Sequence, residues 1–195
     1  PMYADSASVL LNSIQAPDEL TDKDFAHWCM LCGKVTDEAA TGLLPIYQWQ
    51  RAQQWFTEHG TAEEQTQIDL YLGRAYVEDG EYDKAMQIYA DALQLAKEHQ
   101  AYNVAGYICA YMADLYGFRD ITSECLKKRE EACEFFKKAE NYKSYAYSLK
   151  DLAGEWAILD SFACTIPLLQ KADSISQLLH NKNLTAAIAN AFALI

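Results

Sequence analysis

The chain has 195 residues, of which 51% are hydrophobic and 12% aromatic, and it carries a net charge of −12. That apolar content excludes a disordered chain, and the length suits one ordinary domain or a short repeat array. The charge excludes a surface built for nucleic acid or anionic lipid, since both need a positive field.

The chain opens on "PMYADSASVL", which lacks the basic start and long apolar core of a signal peptide. A chain that begins with proline is expected to be a processed product or a piece of a longer protein, and a removed leader stays open. "YADSASVLLNSI" before Pro17 reads as a helix. Beyond it the pattern is helical nearly throughout, because proline is scarce and no alternating β-branched run of strand length occurs. Thr21-Asp22-Lys23-Asp24 and Thr61-Ala62-Glu63-Glu64 have the form of capping boxes, and Gly60 and Gly80 stand where helices would stop. Lys127, Lys128, Arg129, Lys137, Lys138, Lys143 and Lys150 form a basic cluster that reads as a solvated helix face. The closing "TAAIANAFALI" is apolar but shorter than the roughly 18 residues of a membrane span, so no direct membrane insertion is expected of this segment.

The organising feature is an internal repeat with a step of 40. Gly73 falls on Gly33, Ala113 and Ala153, all small, and Ala92 falls on Ala52, Ala132 and Ala172. Tyr76 falls on Thr36, Tyr116 and Trp156, and Tyr82 on Thr122 and Phe162. Small residues at two such positions let paired helices approach closely, while the aromatic fills the space beyond. A lone hairpin would leave an apolar face in water, so hairpins are expected to stack into a solenoid.

Leu72, Gly73, Tyr76, Ala85, Tyr89 and Ala92 resemble the tetratricopeptide (TPR) pattern, with Asp79 to Ala85 similar to its inter-helix turn. The resemblance implies an all-α fold: a right-handed α-solenoid of about four TPR-like hairpins over 22–61, 62–101, 102–141 and 142–182, with half repeats at 3–16 and 183–195, in one domain spanning 1–195. The 40-residue step exceeds the usual 34, which implies lengthened helices. Later copies drift: Arg129 stands where Tyr89 does, Cys125 and Thr165 where Ala85 does, and Pro167 is expected to delay or kink the start of the last second helix.

"HWCMLCGK", residues 27–34, has the tryptophan-led C-x-x-C spacing of a thiol-redox pair. The repeat offers another reading. Cys29 shares its position with Asp69, Cys109 and Leu149, and Cys32 with Leu72, Met112 and Leu152. These positions are mostly apolar and lie on one helix face, which makes buried structural thiols the reading the register supports. A redox pair remains the alternative, as does a metal site with His27, although no fourth ligand lies near in sequence. His59 and His99, one repeat apart, fit helix C-termini better than catalysis. Phosphate loops and nucleophile elbows are missing from the sequence, so the chain is read as non-enzymatic, with no cofactor and no metal.

What the resemblance implies instead is recognition. In TPR proteins the first helix of each hairpin lines a groove for a peptide or partner helix, which points to helices near 62–79, 102–118 and 142–158. Nine of the thirteen tyrosines fall in these helices, and tyrosine gives large contact area at low entropic cost. The expected groove residues are Lys34, Tyr71, Arg74, Tyr107, Tyr111, Asp114, Tyr147 and Lys150. They do not reproduce the family's carboxylate clamp for chaperone tails. An array ending on Phe192, Leu194 and Ile195 would leave an apolar face open, so either the natural protein is expected to continue or that face to pair with a partner or, as a homodimer, with a second copy. Finally, "ADSASVLLNSI" followed by "PDELTDKDFAHWCMLCGK" resembles the opening of bacterial envelope TPR proteins, in which a lipoprotein signal precedes the array. That implies a periplasmic or cell-envelope location, whereas cysteines that stay free would fit a reducing or anaerobic setting better, with the cytoplasm as the alternative.

Overall fold

Seven successive helices begin at 20-residue intervals, so the 40-residue repeat is two equal helices joined by equal turns. The computed structural model describes residues 2–39 and 42–193. Among these residues there are ten α-helices and no strand: α1 (Met2–Asn12), α2 (Asp22–Ala39), α3 (Ile46–His59), α4 (Ala62–Glu78), α5 (Tyr82–Glu98), α6 (Tyr102–Phe118), α7 (Thr122–Lys138), α8 (Tyr142–Ile158), α9 (Phe162–Leu178) and α10 (Lys182–Ala193). A 3-10 turn, Pro17–Glu19, precedes α2. No described helix is long and apolar enough to cross a membrane. Of the apolar end, Phe192 is half-buried, while Leu194 and Ile195 lie outside the described residues.

The chain divides into two compact units, 1–100 and 101–195. In the first, α2 to α5 pack in succession, α1 lies on α2, and α2 also touches α4. Phe25, Trp49, Phe56, Tyr71 and Tyr89 are fully buried there. The second unit pairs α6 with α7, α7 with α8 and α8 with α9, and α10 packs on both α8 and α9. Ile108, Phe136, Leu169 and Leu184 fill that core.

The small-residue positions do what their register requires. Ala52, Ala92, Ala132 and Ala172 are all buried, as are Ala113 and Ala153. At Gly73 of α4 a methyl group would sit inside the Tyr89 ring of α5, and at Gly33 of α2 it would sit inside the Tyr71 ring of α4. Both hollows receive an aromatic ring from the neighbouring helix.

Side-chain hydrogen bonds cap the starts of α2 and α4. Thr61 and Glu64 form the reciprocal box, with Glu64 N–H donating to Thr61 Oγ1 (3.3 Å) and Thr61 N–H to the Glu64 carboxylate (2.9 Å). At α2 only half of the pattern forms: Asp24 N–H donates to Thr21 Oγ1 (3.2 Å), while the Asp24 carboxylate accepts the Thr21 hydroxyl (2.8 Å), because aspartate is one methylene shorter than glutamate. The expected delay at Pro167 does not occur. α9 begins at Phe162 and runs through the proline. The missing N–H leaves one carbonyl of the first turns without its bond, and burial of Thr165, Leu169 and Ala172 outweighs that loss.

Helix ends repeat as regularly as the starts. Gly80, Gln100, Asp120, Glu140, Asp160 and His180 all have positive φ, between 50° and 79°. After Gly80, Asp120, Glu140, Asp160 and His180 the following N–H reaches back to close a Schellman turn, as in Asn141 to Phe136 O (3.0 Å) and Ser161 to Trp156 O (2.9 Å). Only Gly80 adopts this conformation without a Cβ penalty. Glu140→Gly is therefore expected to stabilise the protein by about 1 kcal/mol, read as a rise of a few degrees in Tm by calorimetry.

Candidate functional site

In the second unit the first-helix face is built on α6 and α8. Tyr107, Tyr111 and Asp114 recur at spacings of four and three on α6, which places them on one stripe. Tyr107 and Tyr111 are half-buried and Asp114 is exposed. The Tyr107 hydroxyl hydrogen-bonds Ser144 Oγ of α8 (2.8 Å), and its ring packs edge-on against Phe136 at 4.8 Å. Ser144 lies one turn before Tyr147, also half-buried, so tyrosines of both helices border the same strip. Nearby, Lys150 is half-buried and paired with Asp151.

The other end of the strip is fixed by Arg129 of α7. This guanidinium stands where the first unit buries Trp49 and Tyr89, and only 13% of its side chain is exposed. It donates to Asp114 of α6 (2.7 Å), to Glu155 of α8 (3.2 Å) and to Ala110 O (3.5 Å). Although 57% of the Asp114 side chain meets water, partial burial raises its carboxyl above the usual range, and the guanidinium opposes that only in part. Three helices are thus tied together at the rim of the tyrosine strip. Sequence reading took Arg129 for drift in the repeat, and nothing in the pattern links it to residues 15 positions before and 26 after it.

The first unit holds the remaining expected residues. Tyr71 is fully buried, its ring against Trp49 at 5.3 Å, so it is part of the core rather than of a surface a ligand touches. Arg74 is half-buried, with its guanidinium 5.9 Å from the Tyr71 ring. Lys34 is exposed and lines a polar cleft of about 330 Å³ with Met30, Thr61, Glu64 and Gln67.

Comparison with known proteins now bears on this architecture. No protein-family model and no curated protein sequence matches the chain. Solved structures do. The crystal structure of BtubC (BKLC) from P. vanneervenii matches with TM-score 0.66 and 15% identity over 97% of this chain and 83% of that one. The apo form of RapI matches with TM-score 0.68 and 15% identity over 92% and 72% of the two chains. A kinesin light chain of Podosopora anserina with nearly identical TPR-like repeats matches with TM-score 0.58 and 13% identity over 93% and 90%. The fold is TPR-like. At these identities the likeness shows the fold alone.

Within this TPR-like fold the C-x-x-C thiols occupy packing positions. All six cysteines are thiols. Cys29 is buried, with its Sγ 3.8 Å from Gln48 O, and Trp28 is buried beside it. Burial pushes the Cys29 thiol far above its ordinary value and lifts Cys32 to about 11. A redox nucleophile needs the opposite shift. Cys133 rises to about 12 and Cys125 to about 11, again chiefly by burial. His27 is exposed, its Nδ1 2.7 Å from Lys23 O, and no group of three or more ligands able to hold a metal occurs among the described residues. His59 Nδ1 lies 3.1 Å from Trp55 O in the last turn of α3. Under native conditions a thiol reagent at pH 8 is expected to modify Cys164, the exposed thiol, quickly and Cys32 slowly. Cys29, Cys109, Cys125 and Cys133 should react only on denaturation, which a timed colorimetric titration would show.

At the Cys29 position α4 carries Asp69, whose carboxyl is raised to about 6 by burial and accepts a bond from Gln53 Nε2 (2.6 Å). The folded state holds this proton more tightly than the unfolded chain. The group's contribution is therefore fully present below about pH 4 and is lost as pH rises through 6. Asp69→Asn should then stabilise the protein by about 2 kcal/mol at pH 8 and leave it unchanged at pH 4, as denaturant titrations at the two pH values would report.

Proposed function

We propose that the protein is a non-enzymatic interaction module that binds a peptide or partner helix along the α6/α8 strip. The observation that carries this reading is the placement of Tyr107, Tyr111 and Tyr147 as half-buried rings on adjoining helices, with the Tyr107–Ser144 bond fixing one end. Tyrosine rings held in place by packing offer contact area without a large ordering cost. The strip between Tyr107 and Asp114 spans about 10 Å of helix, enough for a few residues of an extended ligand. Asp114, paired with Arg129, and Lys150, paired with Asp151, put ion pairs on its border. The TPR-like fold supports the same reading, since it is the expectation attached to first-helix faces in this repeat class. Thiol-redox chemistry at Cys29 and Cys32 is disfavoured by the upward shift of both thiols.

The test is a selection from a displayed random-peptide library, followed by fluorescence anisotropy on enriched peptides. The Tyr107→Ala/Tyr111→Ala/Tyr147→Ala variant, shown to be folded by circular dichroism, should bind at least about 30-fold more weakly than the wild type. Equal binding by both proteins would move the site elsewhere.

A further inference from the structure

Away from the tyrosine strip, the second unit has an apolar cleft where the end of α7, the start of α8 and the end of α9 meet. Lys137, Tyr142, Tyr145, Lys171, Ile175, Leu178 and Leu179 enclose about 470 Å³. The volume lies in the range of small-molecule sites, which are concave, mainly apolar and carry few polar groups. Its aliphatic wall is exposed in the free protein: Leu178 keeps 80% of its surface and Leu179 keeps 42%. Scattered exposed leucines need no account, but these converge on one hollow.

Charge gives the hollow its selectivity. The chain has 28 acidic residues against 16 basic ones, yet both charged residues lining this cleft are lysines. Neither Lys137 nor Lys171 forms an ion pair among the described residues. The Lys171 ammonium instead lies 5.3 Å from the Tyr145 ring centre, which holds it at the wall. The aliphatic lining is short, since Ile175 and Leu178 lie in the last turn of α9 and Leu179 is its C-cap. A partner helix docks through a stripe of anchors over two turns or more, whereas one aliphatic chain needs only this depth.

We propose that the cleft between α7, α8 and α9 binds a small amphiphilic anion, an aliphatic chain ending in a carboxylate, with the chain against Ile175, Leu178 and Leu179 and the carboxylate between Lys137 and Lys171. This site is separate from the α6/α8 strip, so either can fail without the other.

The experiment is isothermal titration calorimetry of the whole chain with hexanoate, octanoate and decanoate below their micelle concentrations, with decanol and decylammonium as comparators. Saturable one-to-one binding is expected, tightening about 4-fold per added methylene until the cleft is full. Lys137→Gln/Lys171→Gln should weaken decanoate about 10-fold and leave decanol unchanged. Leu178→Asn, at a position exposed enough to keep the fold intact, should weaken both. The proposal is overturned if no alkanoate saturates the protein, if decylammonium binds as tightly as decanoate, or if neither variant changes decanoate binding. It is equally overturned if an acidic amphipathic peptide binds here and decanoate does not.

Discussion

Gly73→Val is expected to cost the protein about 3 kcal/mol or more and to lower its Tm by roughly 10 °C. The reason is local. A methyl group at this position would lie within the Tyr89 ring, and Tyr89 is fully buried in a close-packed core. Valine adds two further carbons to a site that does not accept one. Relief would require α4 and α5 to separate, which uncovers Ala85, Ala92 and Leu93. Gly73→Val/Tyr89→Ala should recover part of the loss, because it removes the ring that the new side chain meets. Urea denaturation of the three proteins measures this coupling directly.

Arg129→Ala is the second large effect, at about 2–4 kcal/mol near neutral pH. Removing the guanidinium leaves Glu155, whose side chain is 18% exposed, without its cation in a desolvated site. Asp114 contributes less, since 57% of its side chain meets water. The loss should shrink as pH falls, because the Asp114 carboxyl, held above its usual range, can then take up a proton and shed its charge. Arg129→Leu/Glu155→Leu, which supplies an apolar pair of similar volume, should come within about 1 kcal/mol of the wild type. It should still bind a selected peptide more weakly, since α6, α7 and α8 lose the tie at the rim of the strip. If the double variant were as unstable as Arg129→Ala, the ion network would be a net source of stability rather than a positioning device.

The contrast between these two sites explains how much the sequence revealed. Gly33, Gly73, Ala113 and Ala153 recur in one register because close packing of paired helices tolerates nothing larger there, so the repeat and the helices were legible. Thr61 with Glu64 was legible for the same reason, being local. Arg129 was not, because its partners lie on two other helices and charge complementarity across 15 and 26 residues has no periodic signature. Tyr71 and Tyr111 share a register, yet Tyr71 is enclosed because Gly33 opens a hollow for its ring. Which ring is covered depends on the helix opposite and not on its own position. The turns show a similar limit: Gly80 announces a left-handed residue, whereas Gln100, Asp120, Glu140, Asp160 and His180 adopt the same conformation without a sequence mark.

The central claim, that a peptide lies along the α6/α8 strip, is tested most directly by photo-crosslinking a library-selected peptide to proteins carrying benzoyl-phenylalanine in place of Tyr111 or of Gln170, an exposed residue on α9. The account predicts a crosslink from position 111, lost on competition with unlabelled peptide, and none from position 170. A crosslink from position 170 with none from 111 would contradict it.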